Sequence, residues 1–368
     1  MALQAAFTLN PNEIFASIAN MIISQEVFAD NLSKHQTLVD KARVDGGLYG
    51  DKKLYYATDV LKSYAWGADS EATNLLALDR PADPEVQDIT LDIFRQIRLT
   101  VDNYLSKRAW SNEGAFSSFN SVMLGWMRET KRVYDGTLYN VFIGTTQSAK
   151  AKQNISVTLT GTNDAQVIAE KLANLLVEMG DYSRDFNDYE FLRSYSEDEI
   201  KFIWNSKYVN EIKKIDLPTI FHKDGLVDKF EEEVLPARYF GRAIEDSDIG
   251  EGKVIGADGA YDATKGTLRA TKEFDYNNVH YFPGDALATS GTYVAVVGGL
   301  EASQVYLEDA DVICKVVVKL PPYMSAFEVG TSFFNPRSLT ENHYLTFGHN
   351  TLEYLKNYPF ITVKKASN

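Results

Sequence analysis

The stretches of this sequence that could do chemistry each lack a part. YVAVVGGLEASQVYLED, beginning at Tyr293, runs an apolar segment into Gly298-Gly299, as a dinucleotide-binding turn begins. The G-x-G-x-x-G spacing that brings backbone against a pyrophosphate is missing, because Ala302 and the residues after it supply no third glycine; a strand-end turn is expected. GAYDATKGT sets Lys265 before Gly266, whereas a phosphate loop needs glycine before lysine. Asp246, Asp248 and Gly250 resemble the start of a calcium loop. A further ligand before the glycine is absent, and Ala257 stands where the loop needs glutamate, so an acidic surface loop is expected. His35, His222, His280, His343 and His349 fall in no metal-ligand spacing. No G-x-S-x-G nucleophile turn occurs. Carboxylates number 51, and nothing in their pattern selects a pair for acid–base work. The single cysteine, Cys314, sits in the apolar run DVICKVVVKL and reads as a small core residue. The expectation is no catalytic residue, no cofactor and no metal.

Composition narrows the class further. A chain of 368 residues exceeds the roughly 250–300 at which one core stops growing, so two domains, or one with long excursions, are expected. An apolar fraction of 45% and a charged fraction of 24% describe a folded protein. The net charge of −14 argues against a surface that reads nucleic acid. MALQAAFTLN has no basic region of a secretory signal, and no apolar run approaches roughly 18 residues, so a cytosol-like compartment and no membrane are expected.

The elements that would position functional side chains are more legible. From Ser111 to Gly144, Phe116, Phe119, Met123, Trp126, Thr130, Val133, Thr137 and Val141 recur at helical steps, widened by Val122, Met127, Tyr134 and Leu138. Ser111 or Asn112 can cap this helix and Gly144 can stop it, with Asp135-Gly136 a point where it could kink or end. Arg128, Glu129, Lys131, Arg132 and Asp135 fall between the apolar positions and are expected to face solvent. Upstream, Ile89, Leu91, Ile93, Ile97, Leu99 and Val101 alternate with polar residues and Phe94, only Arg95 breaking the apolar set; this predicts a long strand. A tyrosine-rich strand-like piece lies in Leu48–Ala65, and the polar stretch between the two reads as a loop tip. Such a two-stranded arm has a face with nothing to pack on, which implies another domain or subunit.

Elsewhere a short helix near Asn10–Ile22 and a weak one near Leu32–Val44 are expected. NISVTLTG reads as a strand, followed by a helix capped by Asn163 with Val167, Ile168, Leu172, Leu175, Leu176 and Met179 as its stripe. Ile200–Trp204 reads as a buried strand turning at Asn205-Ser206 into a short helix. Patchy strands near Thr267–Thr271 and Val279–Phe282 interrupt a region, 241–291, rich in glycine and aspartate. Strands are expected again at TYVAVVGG, at VICKVVVKL, near Tyr344–Phe347 and near Phe360–Val363.

The order of these elements resembles the major capsid proteins of tailed bacteriophages, the Hong Kong 97-like fold. GGLYGDKKLYYATDVLKSYAWGADSEATN and EVQDITLDIFRQIRLTVDNYLSKRAW are similar to the two sides of that family's E-loop, and SNEGAFSSFNSVMLGWMRETKRVYDGTLYNVFIGTT to its spine helix. EDEIKFIWNSKYVNEIKKID resembles an A-domain piece, and FFNPRSLTENHYLTFGHN with LKNYPFITVKK the last P-domain strands. The resemblance implies an α+β fold with an N-arm (1–45), E-loop (46–102), P-domain spine helix (103–150), A-domain (151–305, with a possible β-rich elaboration at 241–291) and P-domain C-terminal strands (306–368). It implies a non-enzymatic subunit of an icosahedral or prolate head, forming hexamers and pentamers, assembled in a bacterial cytoplasm and ending in the virion. Packaged double-stranded DNA would be held without base-specific contact. Many members begin with a cleaved scaffolding segment; the arm-like sequence here begins by about Leu48, so scaffolding would be a separate protein or absent. Portal and decoration proteins would be further partners. By this analogy Lys52, Lys53, Arg80, Arg95 and Arg98 would pair with neighbouring subunits, and Tyr55, Tyr56 and Trp66 would bury against them; for each, a solvated strand edge is the plain alternative. Two other readings stand beside it. One is an encapsulin-like compartment of the same fold; the other is a two-domain α/β hydrolase or transferase, which leaves the arm unexplained.

Overall fold

The computed structural model describes residues 37–46, 52–63, 80–102, 113–161, 163–212, 231–244, 259–262, 266–276, 278–287, 293–296, 302–309 and 311–366. The expected N-terminal helix, Trp66, the calcium-like loop, Gly298-Gly299 and the caps Ser111 and Asn112 lie outside them. The helices are α1 (Thr37–Ala42), α2 (Glu113–Thr145), α3 (Asp164–Gly180) and α4 (Ser206–Ile212). The first strands are β1 (Arg43–Asp45), β2 (Lys52–Ala57), β3 (Glu85–Asp102), β4 (Asn154–Val157), β5 (Lys201–Asn205) and β6 (Glu231–Leu235). Short strands follow: β7 (Gly241–Arg242), β8 (Gly259–Asp262), β9 (Leu268–Ala270), β10 (Phe274–Tyr276), β11 (Val279–Tyr281), β12 (Tyr293–Val296) and β13 (Val305–Glu308). The last are β14 (Val312–Val317), β15 (Tyr323–Asn335), β16 (Thr340–Asn350) and β17 (Phe360–Lys365). The chain divides into two compact units, one of residues 1–51, 90–136 and 323–351, the other of 52–89, 137–322 and 352–368.

In the first unit, β15 and β16 form a long antiparallel hairpin through a turn at 336–339, and β16 pairs antiparallel with β3. Within this unit the strand order is β1-β15-β16-β3. Along β3 the side chains alternate between exposed and covered to its end, as the period-two pattern requires, with Arg95 on the covered side. Met123, Met127 and Tyr134 of α2 are buried here, and the Tyr134 ring meets Phe347 at 5.8 Å.

In the second unit the sheet runs β4-β17-β14-β5-β6. β14 reads VICKVV, nearly continuous apolar sequence, and every residue of it is buried, as a central strand covered on both faces must be. Leu172, Leu175, Leu176 and Met179 of α3 share a core with Trp204, Val316 and Ile361. Lys315, in the middle of β14, is fully buried. Its ammonium donates to the Thr146 carbonyl (2.6 Å) just past the end of α2 and to Thr362 Oγ1 (2.9 Å), over the Phe360 ring. A helix end leaves carbonyls unpaired and partly negative, so an amine is a fitting partner.

Several expectations change. α2 neither ends nor stops for Asp135-Gly136 and runs to Thr145; Asp135, expected in solvent, is buried with Lys131, because each supplies the other's charge. Trp126 and Val167, assigned to apolar stripes, are exposed. Asn163 adopts a left-handed conformation and does not cap α3 through its side chain; the Asp164 carboxylate instead accepts from the Thr160 and Gly161 amides. The weak helix near Leu32–Val44 is α1 followed directly by β1. The strand expected near Tyr344–Phe347 is the middle of a much longer one, paired with β15.

Candidate interaction surface

β2 presents Lys52, Leu54 and Tyr56 outward, while Lys53 and Tyr55 are half-buried and Ala57 is buried. The Lys52 ammonium pairs with Asp88. Tyr56 is 64% exposed. Tyr55 packs within the chain: the Lys319 ammonium lies 5.7 Å from its ring centre, and burial, then neighbouring Tyr358, raises its pKa. Just beyond β2 the chain is pinned. Asp59 accepts from Arg184 (2.6 Å) and the Leu192 amide (3.0 Å), and these bonds, Arg184 first, bring its carboxyl down to about 2. Arg193 donates to the Thr58 carbonyl at 2.6 Å.

On β3, Arg98 is exposed and donates to Gln96 (3.0 Å), which donates to Thr346 (3.1 Å); Thr100 donates to Asn342 (2.7 Å). These bonds knit the outer face of β3 to β16. Arg95 is on the opposite face, its guanidinium 5.0 Å from the centre of the Tyr134 ring. Arg80 is exposed at the start of its described segment. Of the residues singled out in the sequence, Lys52, Lys53, Tyr55 and Tyr56 lie on β2 and Arg95 and Arg98 on opposite faces of β3, while Arg80 precedes β3.

Sequence reasoning missed a buried polar cluster in the first unit. Asp135 accepts from Lys131 (2.8 Å) and Tyr323 (2.6 Å), with Arg43 at 3.4 Å. Beside it, His349 Nδ1 faces the Asn350 carbonyl (2.9 Å), which can only accept. Nδ1 therefore carries the hydrogen, and Nε2 accepts from the Tyr134 hydroxyl at 2.8 Å. Burial lowers the pKa of His349. Burial and then Asp135 hold the Tyr323 hydroxyl well up. The donors and acceptors of this cluster satisfy one another, which suits a group that fixes helix against sheet. Among the described residues no group of three or more His, Cys, Asp and Glu could hold a metal, and no helix is long and apolar enough to cross a membrane. Cys314 is buried, and burial pushes its thiol up.

A second feature was also missed. Val329, Phe333 and Phe334 on β15 are 42%, 60% and 50% exposed. A groove of about 520 Å³ lies between α2 and the hairpin, lined by Leu124, Met127 and Arg128, by His343 of β16, and by Glu328 and Ser332, the β15 positions that alternate with Val329 and Phe333. The available signal was EVGTSFF, Glu328–Phe334, an extended-type run with a single charge leading into the Pro336 turn.

No protein-family model matches the sequence, and no curated protein matches it. Solved structures do match. The capsid structure of Staphylococcus phage Andhra aligns with a TM-score of 0.55 at 9% identity, covering 86% of this chain and 81% of that one. A structure described as the head fiber and inner core protein gp22 of native bacteriophage P68 aligns with a TM-score of 0.56 at 11% identity, covering 88% and 83%. At such identities the likeness is one of fold.

Proposed function

We propose that this chain, whose α+β fold is that of tailed-phage capsid proteins, is a major capsid protein that assembles with copies of itself into a phage head shell. The observation that carries this reading is the alignment of 86% of the chain with a chain of a phage capsid structure. The chemistry of the described residues agrees: the buried Lys131 and Asp135 are paired internally, while Leu54 and Tyr56 on β2 and Val329, Phe333 and Phe334 on β15 are exposed. Capsomers of six and five copies would form the shell and line it around double-stranded DNA held by non-specific contact. A net charge of −14 is compatible with enclosing DNA and poorly suited to gripping it. Scaffolding, portal and decoration proteins would be separate chains, and assembly would take place in the bacterial cytoplasm. In the shell, Lys52, Lys53, Arg80, Arg95 and Arg98 would meet neighbouring subunits, with Tyr55, Tyr56 and Trp66 covered there. The role is structural and non-enzymatic.

The test is size-exclusion chromatography with light scattering on the purified chain, then negative-stain imaging of the largest species. Rings, tubes or closed shells are expected. A monomer that resists assembly alone, under crowding and with a candidate scaffold would overturn the proposal.

A further inference from the structure

Beyond Ser325, β15 has a partner on one side only among the described residues. β1 pairs with Tyr323–Ser325 and ends there, while β16 pairs along the other side to Asn335. Among the described residues, 328–334 therefore form an edge whose outward backbone N–H and C=O groups meet no neighbouring strand. Natural edge strands are usually blunted by charge, proline or shortness. The edges of the other sheet obey that rule: β6 carries Glu231, Glu232 and Glu233 in succession, and β4 is 4 residues long. The β15 edge has one charge, Glu328, at its end, and no proline until Pro336. Its register against Thr346, Tyr344 and Asn342 places Val329, Thr331 and Phe333 on one face of the sheet.

We propose that this edge pairs with the same edge of a second copy, antiparallel about a two-fold axis at Thr331. The occupant is argued from the strand's own sequence. In that register Val329 faces Phe333 twice over, Gly330 faces Ser332, Thr331 faces Thr331, and Glu328 faces Phe334. Aromatic against β-branched and threonine against threonine are stabilising cross-strand pairs, and no like charges meet. One patch serves both copies, as an isologous contact requires. The pairing joins the β3-β16-β15 strands of two chains into one continuous sheet and covers Val329 and Phe333, which are exposed in the single chain. This contact stands apart from the choice of shell, because it needs only two copies.

The test uses the charge rule at the axis. T331D and T331K each place like charges opposite one another in the pair, whereas an equal mixture places opposite ones. Each variant alone is expected to lack the dimeric and larger species that the wild type is expected to give in size-exclusion chromatography with light scattering, and the mixture to restore them to the wild-type fraction. T331C is expected to shift under oxidation from the 41.3 kDa chain to a species of twice that mass on a non-reducing gel. Wild-type assembly by T331D and T331K alone, or failure of the mixture to restore it, overturns the proposal. So does T331C that stays uncrosslinked in assembled particles, or that crosslinks instead to L54C in a T331C/L54C chain, which would place β2 on this edge. Shells that form without the T331C crosslink would sink this contact and leave the capsid reading standing.

Discussion

The two five-stranded sheets of this molecule are finished to different degrees. In the second unit β14 is buried from end to end, and the edges are short or acidic. In the first unit β3 and the β15–β16 hairpin bury one face, while the other exposes Phe94, Val329 and Phe333. Among the described residues the first kind of sheet is covered within one chain. The second leaves apolar side chains exposed, and on the function proposed above it is the one that would carry assembly. A phenylalanine should therefore mean different things in the two places.

That contrast gives the largest expected effect. Phe360 is 1% exposed between β14 and its neighbours, and Phe360→Ala should cost about 3–5 kcal/mol in urea unfolding of the unassembled chain. Phe333→Ala, at a residue 60% exposed, should stay within about 0.5 kcal/mol in the same measurement and yet reduce assembly. Equal losses of stability from both would erase the distinction between the units.

The buried cluster of the first unit qualifies the comparison, because there the unfinished sheet is held firmly from behind. Asp135→Asn keeps the shape of the side chain and leaves the Lys131 ammonium, 6% exposed, with only the more distant and more exposed Glu328 carboxylate at 3.8 Å. Removing one partner of a buried ion pair costs about 3–5 kcal/mol, and a similar loss is expected here by chemical denaturation. A loss below about 1 kcal/mol, the scale of an exposed pair, would show that the cluster is solvated.

These cases also show what the sequence could and could not convey. The strand at Glu85–Asp102 was legible because period two survives even where Arg95 occupies a covered position; the arginine remains compatible by lying over Tyr134. The long helix was legible from its stripe, but not the burial of Lys131 and Asp135. A charge on a helix reads as solvent-facing unless its partners, here Tyr323 and Arg43 from distant parts of the chain, are known. Trp126 failed in the opposite sense, since a spacing match cannot say where the covering sheet ends. The β15 edge was illegible for a further reason: a strand's alternation reveals its faces and says nothing about which side lacks a neighbour.

Acid and alkali should separate the units more gently. Burial brings Lys315 from 10.5 to about 7, so between those values the unfolded chain binds the extra proton and stability rises with pH. Lys315→Met should flatten that rise, read as urea midpoints between pH 7 and 9.5, below the range where tyrosines ionise. His349, also lowered by burial, acts in the other window: stability present above 6.5 is lost as pH falls through its lowered folded pKa. His349→Gln should remove that acid-side loss and leave the alkaline slope intact. A single variant that altered both slopes would mean that the two units titrate as one.

The smallest effect expected is at Lys52. Its pair with Asp88 joins two half-exposed side chains, so Lys52→Ala should change unfolding by only about 0.2–1 kcal/mol, and less at high salt. A solvated strand edge predicts nothing beyond that. A lysine that also meets a neighbouring subunit predicts a loss of assembly much larger than the loss of stability, because truncating one side of an interfacial charge leaves the partner's charge desolvated. The discriminating quantity is therefore the ratio of the two losses, measured at low and at physiological salt. If assembly falls only as far as stability does, the outward face of β2 is ordinary solvated surface, and the unfinished character of the first sheet rests on β15 alone.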